Sequence, residues 1–118
     1  MPKSLADELS RFERAAIEHG EATENGDGKR ANRNYYKLAN AVKAIRGYGA
    51  SGSDALVTLL DHSNPHVKCW AASYLLSVAP ERAVAVLREL SQGSGIAAFD
   101  AKMTLREWRR DPSRFLQD

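Results

Sequence analysis

Apolar residues recur at helical spacing along most of this chain, and most densely between Ser53 and Ala79. Leu56, Leu59 and Leu60 stand at i, i+3 and i+4, one stripe of a helix. Asn64-Pro65 then restarts the chain. Asn64 suits an N-cap, and Pro65 suits the first helical position, where a missing N–H costs nothing. The next helix carries Val67, Ala71, Tyr74, Leu75 and Val78 on one stripe, which Trp70, Ala72 and Leu76 widen. A helix apolar over most of its circumference is covered on more than one side. This fourth helix is therefore expected at the centre of the fold, with Ala71 and either Trp70 or Tyr74 in the core.

The same pattern places the other helices. The first is expected over Ser4–His19, with Leu5, Leu9, Phe12 and Ala16 on one line. Ser4 and Asp7 form a capping-box pair, and Gly20 suits the residue after the helix end. Asn25-Gly26-Asp27-Gly28 breaks the chain. A second helix follows over Lys29–Arg46 with the seam Ala31, Tyr35, Leu38, Val42 and Ile45. Asp27 lies at its positive end, and Lys43 and Arg46 at its negative end. Pro80 opens a fifth helix with Ala83, Val84, Leu87 and Leu90. A sixth runs over Ile96–Arg109, with a line Ala98, Ala101, Leu105, Trp108 beside a line Ile96, Phe99, Met103. Asp111-Pro112 stops it. A short tail follows, expected to dock through Phe115 and Leu116. No segment alternates with period two, so the expected class is all-α with about six helices.

Gly47-Tyr48-Gly49-Ala50-Ser51-Gly52 spells G-x-G-x-x-G. Dinucleotide binding by that motif requires a strand before it and a helix after it. A helix precedes it here, so it reads as a helix stop and a turn, with Ser53 capping the third helix.

The last four helices repeat one unit. Leu59 falls opposite Leu87 and Val67 opposite Ile96, offsets of 28 and 29. Such units bury their apolar faces only by stacking. The run LLDHSNPHVKCWAASYLL resembles a HEAT repeat, in which a proline and a valine open the second helix and alanines line it. The resemblance covers residues 53–110. The chain as a whole is similar to a small bacterial family of HEAT-like proteins known as a domain of unknown function. Gly26-Asp27 with Lys29, Ala31 and Asn32 carries this, as do Asp61-His62, Pro65, Val67, Trp70 and Ala71. Ala79-Pro80-Glu81-Arg82-Ala83 and Met103-Thr104-Leu105-Arg106-Glu107-Trp108 complete it. The resemblance implies a fold and no activity: a right-handed HEAT-like stack of helix pairs (an α-α superhelix) in one domain, 1–118. Its parts would be an N-terminal pair 1–50, repeats 53–79 and 80–110, and a tail 111–118.

Composition fits a soluble globular domain: 118 residues, 43% hydrophobic and 27% charged. No apolar run approaches the roughly 20 residues that span a bilayer. The amphipathic, acidic N-terminus does not read as a targeting segment. The single cysteine, Cys69, forms no internal disulfide, so the expected compartment is the cytoplasm, with no membrane partner.

Charge changes the picture more. The formal net charge is +2, yet residues 1–27 hold seven acids against three bases. Residues 28–53 hold six bases and no acid. Either the first two helices are neighbours that attract, or the second offers a basic face to an anionic partner. Lys29, Arg33 and Lys37 share one line of that helix, with Tyr36 beside them. Lys102, Arg106, Arg109, Arg110 and Arg114 make a second basic set near Trp108, of which Arg106, Arg109 and Arg110 join the first four as candidates. These seven residues are the candidate partner contacts. A basic face of this size suits weak, non-specific nucleic-acid binding.

The candidate chemistry is sparse. His62 and His66 have the spacing of H-E-x-x-H, but Pro65 starts the helix between them, and no third ligand stands near. Both read as solvent-facing turn and cap residues. Cys69 on the most apolar helix reads as structural, and Tyr35 and Trp108 as core. No catalytic set, metal site or cofactor motif emerges, and no small-molecule substrate. The expectation is a non-catalytic protein-interaction module. One concrete form is the neutralising partner in a bacterial toxin-immunity pair, and weak nucleic-acid binding is the alternative.

Overall fold

A computed structural model describes residues 4–115. The order is α1 (Leu5–Glu24), α2 (Gly28–Arg46), α3 (Ala50–Thr58), a 3₁₀ turn Leu59–Asp61, α4 (Pro65–Leu75), α5 (Pro80–Ser91), α6 (Ile96–Arg110) and a 3₁₀ turn Pro112–Phe115. The described residues hold six α-helices and no strand. They fall into two compact units, one ending at Thr58 and the other beginning at Leu59. The division lies inside the segment 53–79.

In the first unit α1 and α2 form an antiparallel hairpin, and α3 packs on both. The start of α1 is fixed by a complete capping box: the Asp7 amide donates to Ser4 Oγ at 3.1 Å, and the Ser4 amide to Asp7 Oδ2 at 3.2 Å. The helix does not stop at His19. It runs five residues further, with Gly20 buried in its interior. The reversal comes at Gly26, whose φ of +71° a side chain rarely adopts. Asp27 then caps α2, its carboxylate accepting from the Arg30 amide at 3.1 Å.

The glycine-rich stretch also differs from expectation. Ala50, Ser51, Gly52 and Ser53 lie inside α3 rather than in a turn and a cap. Gly49 makes the reversal with φ +63°, and Gly52 brings α3 against the end of α2. A Cβ built on Gly52 would lie 1.9 Å from the Ile45 carbonyl oxygen. The motif's glycines therefore serve helix packing.

In the second unit α4 is central, packing on the Leu59–Asp61 turn, on α5 and on α6. Its N-terminus matches the sequence reading. Asn64 Oδ1 accepts the amides of His66 (2.9 Å) and Val67 (3.3 Å), and Pro65 opens the helix. Val67, Ala71, Ala72, Leu75 and Leu76 are all fully buried. Trp70 and Tyr74 are only half-buried and stack on each other at 6.0 Å. The helix ends at Leu75 because Pro80 starts the next one and drives Ala79 out of the helical region. Val78 therefore leaves the stripe and is 53% exposed. Ala97, Ala98, Ala101 and Leu105 form the buried face of α6, small residues that allow close approach. Trp108 is half-buried against Phe115, ring centroids 5.7 Å apart. The other expected docking residue, Leu116, lies outside the described residues.

Candidate functional site

Four of the seven candidate contacts lie on α2. Lys29, Arg33, Tyr36 and Lys37 are all exposed, at the spacing i, i+4, i+7, i+8 that makes one ridge. Pairing of α1 with α2 does not neutralise this ridge. Arg30 reaches across from α2, to Glu21 at 3.3 Å. Among the described residues no ion pair reaches Lys29, Arg33 or Lys37. Tyr35, expected in the core, is 42% exposed and packs edge-on to Tyr36 at 5.5 Å. The buried seam is instead Asn34, Leu38, Ala41, Val42 and Ile45, one residue round from the expected line at its start. Asn34 is tolerated there because its amide nitrogen donates to the Arg30 carbonyl at 3.0 Å.

A cleft of about 210 Å³ opens between α1 and α2, lined by Arg11, Arg14, Glu18, Asn34 and Lys37. Lys37 is the one sequence-predicted contact that lines it. Beside it Glu8 is buried and clamps the Arg11 guanidinium with two bonds, 3.0 and 3.1 Å. Asn34 Oδ1 is buried and has no hydrogen-bond partner among the described residues. Polar letters on an apolar seam, Glu8 and Asn34, were the available signal for this site.

The other three candidates, Arg106, Arg109 and Arg110, are exposed on α6. Arg110 pairs with Glu107 at 3.1 Å, and Arg114 binds the same carboxylate. Phe99 and Met103, expected on an apolar line, are 61% and 39% exposed on this helix. With Arg106 and Arg110 they form one stripe at i, i+4, i+7, i+11. The small buried residues define the core face, so the larger ones are turned away from it.

The histidines are not placed as expected. His66 is buried in the first turn of α4. His62 is half-buried, and its Nδ1 accepts the Asn64 amide at 2.9 Å. Among the described residues no group of three His, Cys, Asp or Glu side chains could hold a metal ion. Cys69 is buried, and its pKa is pushed up to about 12 by burial first and by the nearby Asp100 carboxylate second, against a hydrogen bond with Ser73. Thiolate chemistry needs the opposite shift. No helix of the described residues is long and apolar enough to cross a membrane.

The model of the family described as Domain of unknown function (DUF2019) matches residues 7–108, and the chain belongs to that family. No curated protein matches significantly. Among solved structures, the protein RPA1889 from Rhodopseudomonas palustris CGA009 is similar, with a TM-score of 0.84 and 24% identity. The similarity covers 98% of this chain and 94% of that one, and at this identity it speaks to the fold alone.

Proposed function

We propose that this family member is a non-catalytic protein-binding module of the cytoplasm, built as a right-handed HEAT-like stack. The capped Asn64-Pro65-Val67 opening of α4, its buried alanines and the Pro80 opening of α5 support the HEAT-like reading. The observation that carries the function is the outer stripe of α6. Exposed Phe99 and Met103 run into Arg106 and Arg110, with Arg109 alongside. Aromatic residues, Met and Arg are the types enriched in protein interfaces. The partner that fits is a protein with an apolar pocket and an acidic rim. A neutralising role toward a bacterial toxin is one concrete form, by analogy with other small interaction modules.

Site-specific photo-crosslinking tests this. A photoreactive residue at position 99 or 103 should yield one acidic protein adduct in cells. A probe at the exposed Asn40 should not. Arg106→Glu/Arg109→Glu should abolish the adduct and weaken binding of the purified partner at least about tenfold, the scale of losing charge-assisted contacts. The same adducts from all three positions would refute the reading.

The free ridge on α2 favours a second reading, weak nucleic-acid binding through Lys29, Arg33 and Lys37. A salt titration separates the two. Nucleic-acid affinity falls steeply with salt, and a mixed apolar-polar protein interface changes less.

A further inference from the structure

We propose that the outer line of α2 binds single-stranded nucleic acid in preference to duplex, seating phosphates on its cations and a base on Tyr36. This rests on the nucleic-acid reading of α2 and is independent of the α6 stripe. α2 carries bases and no acid along its whole length. A helix face that is merely solvated gains from mixing both signs at i and i+4. Here Lys29, Arg33, Tyr36, Asn40 and Lys43 are all exposed at i, i+4, i+7, i+11 and i+14, opposite the buried Leu38, Val42 and Ile45. The line is about 21 Å long at 1.5 Å per residue, room for several nucleotides. Exposed Lys37 flanks it. Among the described residues no ion pair reaches Lys29, Arg33, Lys37 or Lys43. The α6 end differs, because Arg110 and Arg114 share Glu107 there. Like charges left unpaired along one line suit a ligand that brings a row of negative charges.

Tyr36 says which polyanion. It stands among the cations and is 60% exposed. Its contact with Tyr35 is edge-on, with 5.5 Å between centroids and 72° between planes. Such a contact covers at most one face of a ring, so Tyr36 keeps a face for a ligand. An acidic peptide backbone has nothing flat to lay there, and a nucleotide base has. In a duplex the base faces are stacked on one another and only their edges reach the grooves. A single strand leaves its bases open to stack on aromatic side chains. The cations would hold either form by its phosphates, so the tyrosine supplies the preference. Phosphates and base faces are common to DNA and RNA strands.

Fluorescence anisotropy of the whole protein with labelled oligo-dT, oligo-U and a DNA duplex of the same length, at low salt, tests this. Both single strands should bind at least about fivefold more tightly than the duplex, the lower end for stacking one base on an aromatic side chain. The tighter of the two names the source. Tyr36→Ala, at an exposed position, should remove the preference and leave duplex affinity and melting temperature unchanged. Tyr36→Phe keeps the ring and should keep the preference. Arg33→Glu/Lys37→Glu should weaken strand and duplex together by about tenfold or more, since both rely on the phosphate contacts. Equal affinity for strand and duplex, or a preference that survives Tyr36→Ala, would overturn the inference and leave the nucleic-acid reading standing. No saturable binding of any of the three up to about 100 μM protein, the weak end of non-specific affinity, would overturn both. Poly-glutamate that displaces oligo-dT as well as unlabelled oligo-dT does would also overturn the inference and assign the ridge to acidic peptides.

Discussion

Replacing Gly52 with alanine sets helix propensity against packing, and the structure decides the sign. Gly52 lies inside α3, where alanine is the better helix former by about 1 kcal/mol. Its φ requires no glycine, so local preference alone foretells a stabilised protein. The new methyl would stand 1.9 Å from the Ile45 carbonyl oxygen, 2.9 Å from that carbonyl carbon and 3.2 Å from Ile45 Cγ2. Relief takes a separation of at least 3.0 Å, about 1 Å of movement between two backbones. The obstructing atoms are main chain, so no rotamer change helps. The Ile45 oxygen also accepts the Tyr48 amide at 3.0 Å, and displacing it puts that bond at risk, about 1 kcal/mol. Overpacking costs about 1–3 kcal/mol and sometimes more. A backbone obstruction belongs at the upper end, so a net loss of about 2–3 kcal/mol is expected after the propensity gain. Urea unfolding followed by circular dichroism measures it, with the midpoint falling at unchanged slope. Gly28→Ala is the control: nothing lies within 4 Å of its Cβ position and its φ is ordinary, so a gain of about 0.4–1 kcal/mol is expected. If Gly52→Ala is as stable as the parent, α3 does not approach α2 as described.

Ala71→Glu places an unpaired carboxylate at a fully buried position of α4, at a cost of several kcal/mol against a total of about 5–15. The purified variant should show no cooperative melt. Cys69 ionises near 9.0 when unfolded and near 12 when folded, so the unfolded state binds fewer protons between those values. Its contribution is complete below pH 9 and is lost as pH rises toward 12, so Cys69→Ala should lessen the fall in melting temperature between pH 8 and pH 10.5. A labelled DNA duplex should bind no more tightly than about 10 μM near 150 mM salt, since the three free cations of the α2 ridge give only non-specific affinity. Fluorescence anisotropy checks this, and sub-micromolar binding lost in Arg33→Glu/Lys37→Glu would favour the nucleic-acid reading over the protein one.

Where a local signal had one physical meaning, the sequence was enough. Ser4 with Asp7, Asp27, and Asn64 with Pro65 mark helix starts that the backbone adopts. The wide apolar face of 67–76 foretold a helix packed on several sides, and α4 is that helix. Glycine was where local reasoning failed, because it has more than one use. Gly20 reads as a helix end yet is buried within α1, while Gly26 makes the reversal. Gly52 reads as part of a turn yet serves a close helix contact. Both errors have one cause: glycine permits a turn and also permits close packing, and only the neighbouring helix decides between them.

The surfaces were harder to read than the core, for a reason visible on α2 and α6. On each helix large apolar residues follow helical spacing, and spacing alone assigned them to the core. On α6 the alanines Ala97, Ala98 and Ala101 lie against the rest of the unit, so Phe99 and Met103 face outward. On α2 the polar Asn34 is inside, and Tyr35 and Tyr36 are outside. Size and hydropathy thus run opposite to burial at these positions. Burying alanine lets helices approach closely, and Asn34 is accepted inside because its amide nitrogen donates to the Arg30 carbonyl. Fold stability would be served at least as well by burying the tyrosine and exposing the amide. Burial on these helices therefore follows shape and local hydrogen bonding as well as hydropathy: small residues fill the face of α6 that meets its neighbours, and an amide is accepted on α2 where its nitrogen finds a carbonyl.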